Sequence, residues 1–252
     1  MLQQHNSKNG RYYLFTSEDG ETFKLPSVTT VTRLANDGNE FLKKWLQNPD
    51  NVIASEYSMM FGRAVHSHVE SFFNDNNYYN QETKNRKQLF EFWCESFKPP
   101  ADFDKHQSMG VFEESESFFR KVFLKECEAL KPYLLASEKS FHSLNFMVAG
   151  TPDIIIKVYD AESLSYMLEV YDIKNANKRK ANHHLSGYGM QLAVYCAMVK
   201  EFYNLPIRSA SLLIGVISTG KLQKVTYEPL DLQYHLSNFA FWRDEYKKLK
   251  GF

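Results

Sequence analysis

Hydrophobic and polar positions follow two different periods along the chain. Between Ser55 and Phe73, one histidine and several apolar or small residues recur at steps of three and four residues: Met59, Gly62, His66, Val69 and Phe73. This spacing predicts one face of an amphipathic helix. Two further helices are predicted at Glu82–Phe97 and Phe112–Lys131.

After Pro132 the helical period gives way to alternation, which predicts strands. We expect three antiparallel strands, a helix, two strands and a final helix at Leu134–Ser143, Asn145–Tyr159, Tyr166–Asn175, Leu185–Tyr203, Arg208–Ser218, Leu222–Tyr227 and Leu230–Leu249. Near the start, aromatic and β-branched runs on both sides of a turn predict a hairpin within residues 11–33.

The length and composition indicate one packed domain over residues 1–252. Of the 252 residues, 43% are hydrophobic and 24% are charged, values close to the average for globular proteins. No apolar run approaches the ~18 residues of a membrane span, and the first residues lack an apolar signal core, so we expect a cytoplasmic protein without a membrane partner. Cys94, Cys127 and Cys196 lack metal-ligand spacing, so we expect buried thiols and no iron–sulfur cluster.

The overall charge gives no support to nucleic-acid binding, because 30 Lys and Arg residues balance 30 Asp and Glu residues. One local basic patch exists at Lys174–Lys180, with the sequence KNANKRK. Lys178, Arg179 and Lys180 in this patch are candidate DNA contacts, although a solvated loop after a strand has the same pattern.

Two acids and a lysine on neighbouring predicted strands carry the strongest chemical signal. If the turn between these strands is centred on residues 160–165, Asp153 lies opposite Asp172 and their side chains project to the same face. Lys174 joins that face because side chains in a strand alternate with a period of two. A divalent cation such as Mg²⁺ or Mn²⁺ would relieve the repulsion between the carboxylates, and the lysine would stabilise charge on a phosphate. A surface ion cluster on an exposed sheet face is the alternative.

Several motifs occur together in a fixed order. They are Gly150-x-x-Asp153, Asp172-Ile173-Lys174 and Gln191-x-x-x-Tyr195, with Gly62-x-x-x-His66, Glu138 and Pro26-Ser27-Val28-Thr29-Thr30 before them. This set, over roughly residues 12–230, resembles the RecB-type exonucleases of the PD-(D/E)XK nuclease superfamily, including the mitochondrial genome maintenance exonuclease and small phage exonucleases. The resemblance implies an α+β (α/β sandwich) fold with a restriction-endonuclease-like core, in which helices flank a central mixed sheet. It places the core at about residues 55–73 and 134–230 and a helical insertion at about residues 82–131.

The resemblance also implies roles for individual residues. His66, Asp153, Asp172 and the Ile173 carbonyl would bind the metal, Lys174 would be catalytic, and Gln191 would orient Lys174 or a phosphate. His66 is favoured over His68, which lies two residues further and points to nearly the opposite side of the helix. The candidate substrate-binding residues are Ser27, Thr29, Thr30, Glu138, Lys178, Arg179, Lys180 and Tyr195. Glu138 has two further interpretations, an outer metal ligand or an ordinary acid at a strand end.

The function implied by the resemblance is a metal-dependent DNA exonuclease in DNA repair or recombination, acting in the cytoplasm, or in the host cytoplasm if the gene is carried by a phage. A structure-specific DNA endonuclease and a catalytically inactive DNA-binding module are the alternatives. A preference for single strands with free ends follows if the helical insertion encloses the DNA. Its aromatic residues Phe90, Phe92, Trp93, Phe97 and Phe103 would then stack on bases, and Lys84, Arg86, Lys87, Lys98 and Lys105 would meet phosphates. An ordinary helical pair packed on the core has the same pattern.

Overall fold

The computed structural model of the protein describes residues 1–7, 10–35, 44, 47–74, 86–100 and 103–250. The strands are β1 (Leu2–Ser7), β2 (Gly10–Thr16), β3 (Thr22–Pro26), β4 (Leu134–Ser137), β5 (Phe141–Ser143), β6 (Val148–Gly150), β7 (Ile154–Asp160), β8 (Ser165–Ala176), β9 (Ile207–Val216) and β10 (Lys221–Tyr227). The α-helices are α1 (Val28–Leu34), α2 (Pro49–Asn74), α3 (Arg86–Phe97), α4 (Lys105–Val122), α5 (Leu124–Leu130), α6 (Ser186–Tyr203) and α7 (Pro229–Lys250).

A five-stranded mixed sheet forms the centre of the fold, in the order β10-β9-β8-β7-β4. Neighbouring strands are antiparallel except β8 and β9, which are parallel. Parallel neighbours need a crossover connection, and α6 supplies it between these two strands. The predicted α+β fold with a central mixed sheet flanked by helices is therefore confirmed.

Helices cover both faces of the central sheet, so its inner strands are apolar on both sides. Ile155 and Val170 pack in one cluster with residues of α6, such as Leu192. Ile154 and Ile173 pack in a second cluster with residues of α2, α4 and α5. Alternate residues of each strand thus enter opposite layers, which gives the near-continuous apolar runs of strands buried on both faces.

Two predicted strands are interrupted near the end of the sheet where the site lies. The segment predicted as Asn145–Tyr159 breaks between β6 and β7, where Pro152 has no N–H to donate to a ladder. The segment predicted as Leu134–Ser143 breaks after β4, where Glu138 has a φ of 50°. β5 and β6 pair with each other in a separate two-stranded sheet. The breaks leave Glu138 and Asp153 outside regular strands.

The N-terminal region contains more than the predicted hairpin. β1, β2 and β3 form a three-stranded sheet, and α1 follows where no helix was predicted. Ser27 begins this helix, because its Oγ accepts a hydrogen bond from the Thr30 amide at 3.0 Å. This N-cap contact satisfies one of the free amides at the start of a helix, a signal that the sequence interpretation overlooked.

α2 begins at Pro49, earlier than predicted, and proline is well suited to the first turn of a helix. Met59, the first residue of the predicted helix face, is 62% exposed, so the face is not buried along its whole length. His68 is fully buried on the other side of the helix, where its Nε2 lies 3.0 Å from Ser115 Oγ. His66 and His68 therefore do lie in different environments, as the helix geometry predicted.

The helical insertion contributes its aromatic residues to the core. Phe90, Trp93 and Phe97 are 5%, 0% and 4% exposed, and they pack with Ala64 of α2 and Phe112 of α4. They are not available to stack on bases, so this expectation is wrong. Their spacing of three and four residues places them on the face of α3 that packs against α2 and α4. Phe103 also packs against this cluster.

The cationic residues expected in the insertion have mixed positions. Lys87 pairs with Glu91, whereas Lys98 and Lys105 are exposed. Lys84, the side chains of Arg86 and Phe92, and the predicted start of the first insertion helix at residues 82–85 lie outside the described part of the chain. None of the helices within the described ranges combines the length and apolarity needed to cross a membrane.

Candidate active site

Asp153, just before the start of β7, faces Asp172 in the last part of β8. The observed pairing of Ile154 with Tyr171 confirms the predicted register and, continued by one residue, sets Asp153 opposite Asp172. Asp153 Oδ2 accepts a hydrogen bond from the Ile173 amide at 2.5 Å. Both carboxylates are buried, at 6% and 1% exposure, so each needs a charged or hydrogen-bonding partner.

Asp172 has two such partners. Lys174 Nζ lies 2.5 Å from Asp172 Oδ2, on the same face of β8. Gln191 Nε2, from α6, donates to Asp172 Oδ1 at 3.2 Å. The crossover helix between β8 and β9 thus contributes a hydrogen bond that orients the Asp172 carboxylate of β8.

His66 and Glu138 approach Asp153 from other elements. His66 Nδ1 lies 3.4 Å from Asp153 Oδ1 and 3.9 Å from Glu138 Oε1. α2 passes close to the end of β8 at Gly62, where an added Cβ would lie 3.8 Å from Asn175 Nδ2. The Gly62-x-x-x-His66 spacing therefore brings the imidazole to the carboxylates one turn further along the helix.

Glu138 adopts a backbone conformation that is uncommon for a non-glycine residue. Its φ of 50° lies in the left-handed region, which costs about 1–2 kcal/mol for an L-residue. Its amide donates to the Asp153 carbonyl at 3.0 Å, and Ser137 Oγ donates to the same carbonyl at 3.1 Å. These contacts hold Glu138 beside Asp153, and such strain is often found at functional sites.

The charges of the site are strongly coupled. Burial would lower the pKa of His66, but Asp153 and Glu138 outweigh it and raise the pKa to about 10. Burial and the nearby Asp153 raise the pKa of Glu138 to about 7. Burial also raises the pKa of Asp172 to about 6 despite Lys174, whereas His66 and Lys174 overcome the burial of Asp153 and lower its pKa.

His66, Glu138 and Asp153 form a possible metal site. Among the described residues they are the group of three whose ligand atoms all lie within 4.8 Å of one another. One imidazole and two carboxylates are suitable donors for a divalent transition metal. Asp172 is not in this group, and its Oδ2 pairs with Lys174. Glu138, for which the sequence left open a substrate contact, an outer metal ligand or an ordinary strand-end acid, thus lies with the candidate ligands.

Two of the expected substrate contacts have internal roles instead. Ser27 is 2% exposed, and its hydroxyl caps α1 and contacts Thr29 and Thr30. Tyr195 is 3% exposed, its hydroxyl accepts from Gln191 at 2.9 Å, and its ring packs on Gly150 so closely that a Cβ there would lie 2.6 Å from it. Neither residue is accessible to DNA, and we correct both expectations.

The other expected substrate contacts keep some exposure. Thr29 and Thr30 are half-buried at the start of α1, where Thr30 Oγ1 also donates to the Arg11 carbonyl. Lys178 and Arg179 are exposed and Lys180 is half-buried, on the loop that follows β8.

Three residues near the site were not predicted. Glu70 lies one turn after His66, and burial raises its pKa while His66 lowers it. The Tyr188 ring centroid lies 5.9 Å from Lys174 Nζ. Both Asn175 side-chain polar atoms are buried without a hydrogen-bond partner among the described residues. Spacing offered a signal for two of them, since Tyr188 precedes Gln191 by three residues on α6 and Asn175 follows Lys174.

A sequence profile of the PD-(D/E)XK nuclease superfamily matches residues 39–250. Among solved structures, the chain is similar to a protein from Eubacterium rectale provisionally named an exonuclease, with 13% identity and a TM-score of 0.45. The match covers 72% of this chain and 64% of that protein, so the chain spans less than two thirds of it. A search of curated proteins finds no match. The profile covers most of the sequence, and the chain belongs to the PD-(D/E)XK nuclease superfamily.

Proposed function

We propose that the protein is a metal-dependent nuclease that hydrolyses phosphodiester bonds in DNA. The observation that supports this most strongly is the convergence of His66, Glu138 and Asp153 next to the Asp172–Lys174 ion pair. These residues come from α2, the end of β4, the start of β7, and β8. Acids, a lysine and a histidine from four separate elements thus meet at one site. An ordinary surface ion pair needs only two residues and no such convergence.

The donor set is suited to a divalent cation. Without one, the carboxylates of half-buried Glu138 and buried Asp153 repel each other, and burial together with this repulsion raises the pKa of Glu138. We propose His66, Glu138 and Asp153 as metal ligands, together with Asp172 and the Ile173 carbonyl. A divalent metal there would polarise the scissile phosphate and lower the pKa of a bound water. The imidazole favours Mn²⁺ relative to a site with oxygen ligands alone.

The remaining polar residues of the site have distinct proposed roles. Lys174 places a positive charge where negative charge builds up on the phosphate in the transition state. Gln191 holds Asp172 in the orientation that pairs with Lys174. Tyr195 in turn accepts a hydrogen bond from Gln191 and acts as a positioning residue.

We further propose an exonuclease that prefers single-stranded DNA with free ends and acts in DNA repair or recombination in the cytoplasm. The similarity of its motifs to those of RecB-type exonucleases supports this finer assignment. The nuclease domain would comprise the whole chain, and helices such as α3 and α4 would enclose the strand beside the active site.

The test is to incubate end-labelled linear DNA, single- and double-stranded, with Mg²⁺, Mn²⁺ or EDTA and to size the products. We expect products that shorten progressively from an end, faster for single strands and absent in EDTA. A circular single strand of the same sequence, and a linear strand with both ends blocked by bulky adducts, should resist. Rapid cutting of the circle would indicate an endonuclease, and no cutting of any DNA with either metal would indicate an inactive binding module.

A further inference from the structure

The charges of the chain are unevenly distributed along the sequence. Between Ile173 and Tyr227 the chain carries eight Lys and Arg residues and a single acid, Glu201, although the whole chain has 30 residues of each sign. The rest of the chain is therefore net acidic. The segment from Ile173 to Tyr227 begins inside the candidate active site, because Lys174 is its second residue.

The fold gathers four of these eight cations at the end of the central sheet where β8 and β9 terminate. Lys178, Arg179 and Lys180 follow the carboxyl end of β8, and Lys221 follows the carboxyl end of β9 across a tight turn. Lys121 joins them from the end of α4, since a Cβ on Gly220 in that turn would lie 2.5 Å from its Nζ. We call these five residues the basic edge.

The backbone of the basic edge is held in place by hydrogen bonds. The Ile217 and Ser218 amides donate to the Ala176 and Asn177 carbonyls at 2.9 and 3.1 Å, which ties the β9–β10 turn to the loop after β8. The buried Gln223 side chain bonds Lys180 twice, accepting from its amide and donating to its carbonyl, both at 2.9 Å. The loop and the turn thus form one continuous surface.

The side chains of the basic edge are available to a ligand. None of the five has an ion pair with an acid in the described part of the chain, and all except the half-buried Lys180 are exposed. The other cations of the segment differ. Lys224 pairs with Glu126 at 2.7 Å and Arg208 pairs with Glu169 at 3.7 Å, while Lys200 lies at the far end of α6.

We propose that the basic edge binds the phosphate backbone of the DNA strand beyond the scissile bond. The inference rests on the proposed nuclease function, because it starts from a phosphate at Lys174. A strand leaving the site along this edge would meet Lys178 to Lys180, then the β9–β10 turn with Lys221 and Lys121. Contacts of this kind follow the backbone without reading the bases, so the edge confers affinity and no sequence preference.

The test measures DNA binding in EDTA, where cleavage does not interfere. Fluorescence anisotropy would compare single strands of about 4 and about 16 nucleotides over a range of salt concentrations. The variants are the double substitution Lys121→Gln with Lys221→Gln, the single substitution Arg179→Gln, and Lys200→Gln as the matched control. Lys121→Arg with Lys221→Arg preserves the charge.

We expect the double Gln variant to bind the long strand about tenfold more weakly at low salt. The logarithm of the binding constant falls linearly with the logarithm of the salt concentration. The magnitude of this salt slope should decrease by about 0.7 for each phosphate that the variant no longer neutralises. Arg179→Gln should also weaken binding of the long strand and lower the salt slope. The double Arg variant, the Lys200→Gln control and the affinity for the short strand should stay close to the wild type. A double Gln variant that matches Lys200→Gln in affinity and salt slope would overturn the proposal.

Failure of the proposed nuclease function gives a different result. If the wild type binds the long strand with the expected slope but cleaves no DNA with Mn²⁺, the basic edge stands and the nuclease proposal falls. If the wild type cleaves DNA and none of the substitutions changes binding, the nuclease stands and the basic edge falls.

Discussion

Gln191 on α6 donates a hydrogen bond from its side-chain amide to Asp172 Oδ1 at 3.2 Å. The contact joins the helix that crosses between two parallel strands to the carboxylate at the end of the first strand. Asp172 also pairs with Lys174, so the Gln191 side chain contacts one member of this ion pair directly.

Replacing Gln191 with Ala should lower the rate of DNA cleavage by about 10–100-fold, the usual effect of removing a group that orients a metal ligand. Gln191→Glu should lower it further, because a second carboxylate would face Asp172. The measurement is the initial cleavage rate in Mn²⁺, with Gln233→Ala on the exposed side of α7 as the control. Equal rates for Gln191→Ala and the control would contradict the positioning role.

His66 should couple metal binding to proton release. Its pKa of about 10 means that the metal-free imidazole is protonated at neutral pH, and a ligand nitrogen must be free of its proton. Binding of Mn²⁺ should therefore tighten as the pH rises toward 10 and release about one proton from His66. Calorimetric titrations in buffers of different ionisation enthalpy measure this number.

In the His66→Ala variant, Mn²⁺ affinity should fall, that proton should disappear from the count, and activity should recover in part at raised Mn²⁺. An unchanged proton count would show that His66 does not bind the metal. Burial and the nearby Asp153 raise the pKa of half-buried Glu138 to about 7, so it adds a further fraction of a proton near neutral pH, and loss of His66 would raise that pKa further. The titrations should therefore be made well above pH 7, where Glu138 is largely ionised and the wild-type His66 is still protonated.

His68 should control stability instead of activity. Burial lowers its pKa to about 3, with a smaller effect from Arg120, so the folded protein keeps it neutral while the unfolded chain binds a proton below pH ~6.5. The free energy of unfolding should then fall by about 1.4 kcal/mol per pH unit from this residue as the pH drops from ~6.5 toward 3. Denaturant titrations of the wild type and His68→Phe should show a shallower pH dependence in the variant. Parallel curves would contradict a neutral buried imidazole.

The sequence predicted the pairing of β7 and β8 well because its geometry is local. A short turn between two apolar runs determines the register, and the register alone sets Asp153 opposite Asp172. The side of α2 on which His66 lies was likewise predictable from a fixed helical period. These relationships depend on spacing within one or two elements.

The parts that the sequence left open or assigned wrongly depend on contacts between distant elements. Glu138 lies beside His66 and Asp153 with a left-handed backbone at the end of β4, and no residue pattern indicates that conformation. Similarly, the helical spacing of Phe90 and Trp93 is compatible with a DNA-binding surface and with a packed core. The packing of α3 against α2 and α4 shows that these side chains belong to the core. Ser27 was misassigned for another reason, since its side chain serves the start of a helix that was not predicted.

The most direct test of the central claim is the cleavage of end-labelled linear single-stranded DNA in Mn²⁺ by Asp153→Ala, Asp172→Ala and Lys174→Ala. Near-ultraviolet circular dichroism would confirm folding, and Asp172→Asn provides a variant of the same size for this buried position. We predict that each variant loses at least about a hundredfold in rate, because each removes a group that acts on the transition state, while binding of DNA in EDTA is retained. Robust cleavage by any one of these folded variants would contradict the assignment of the active site.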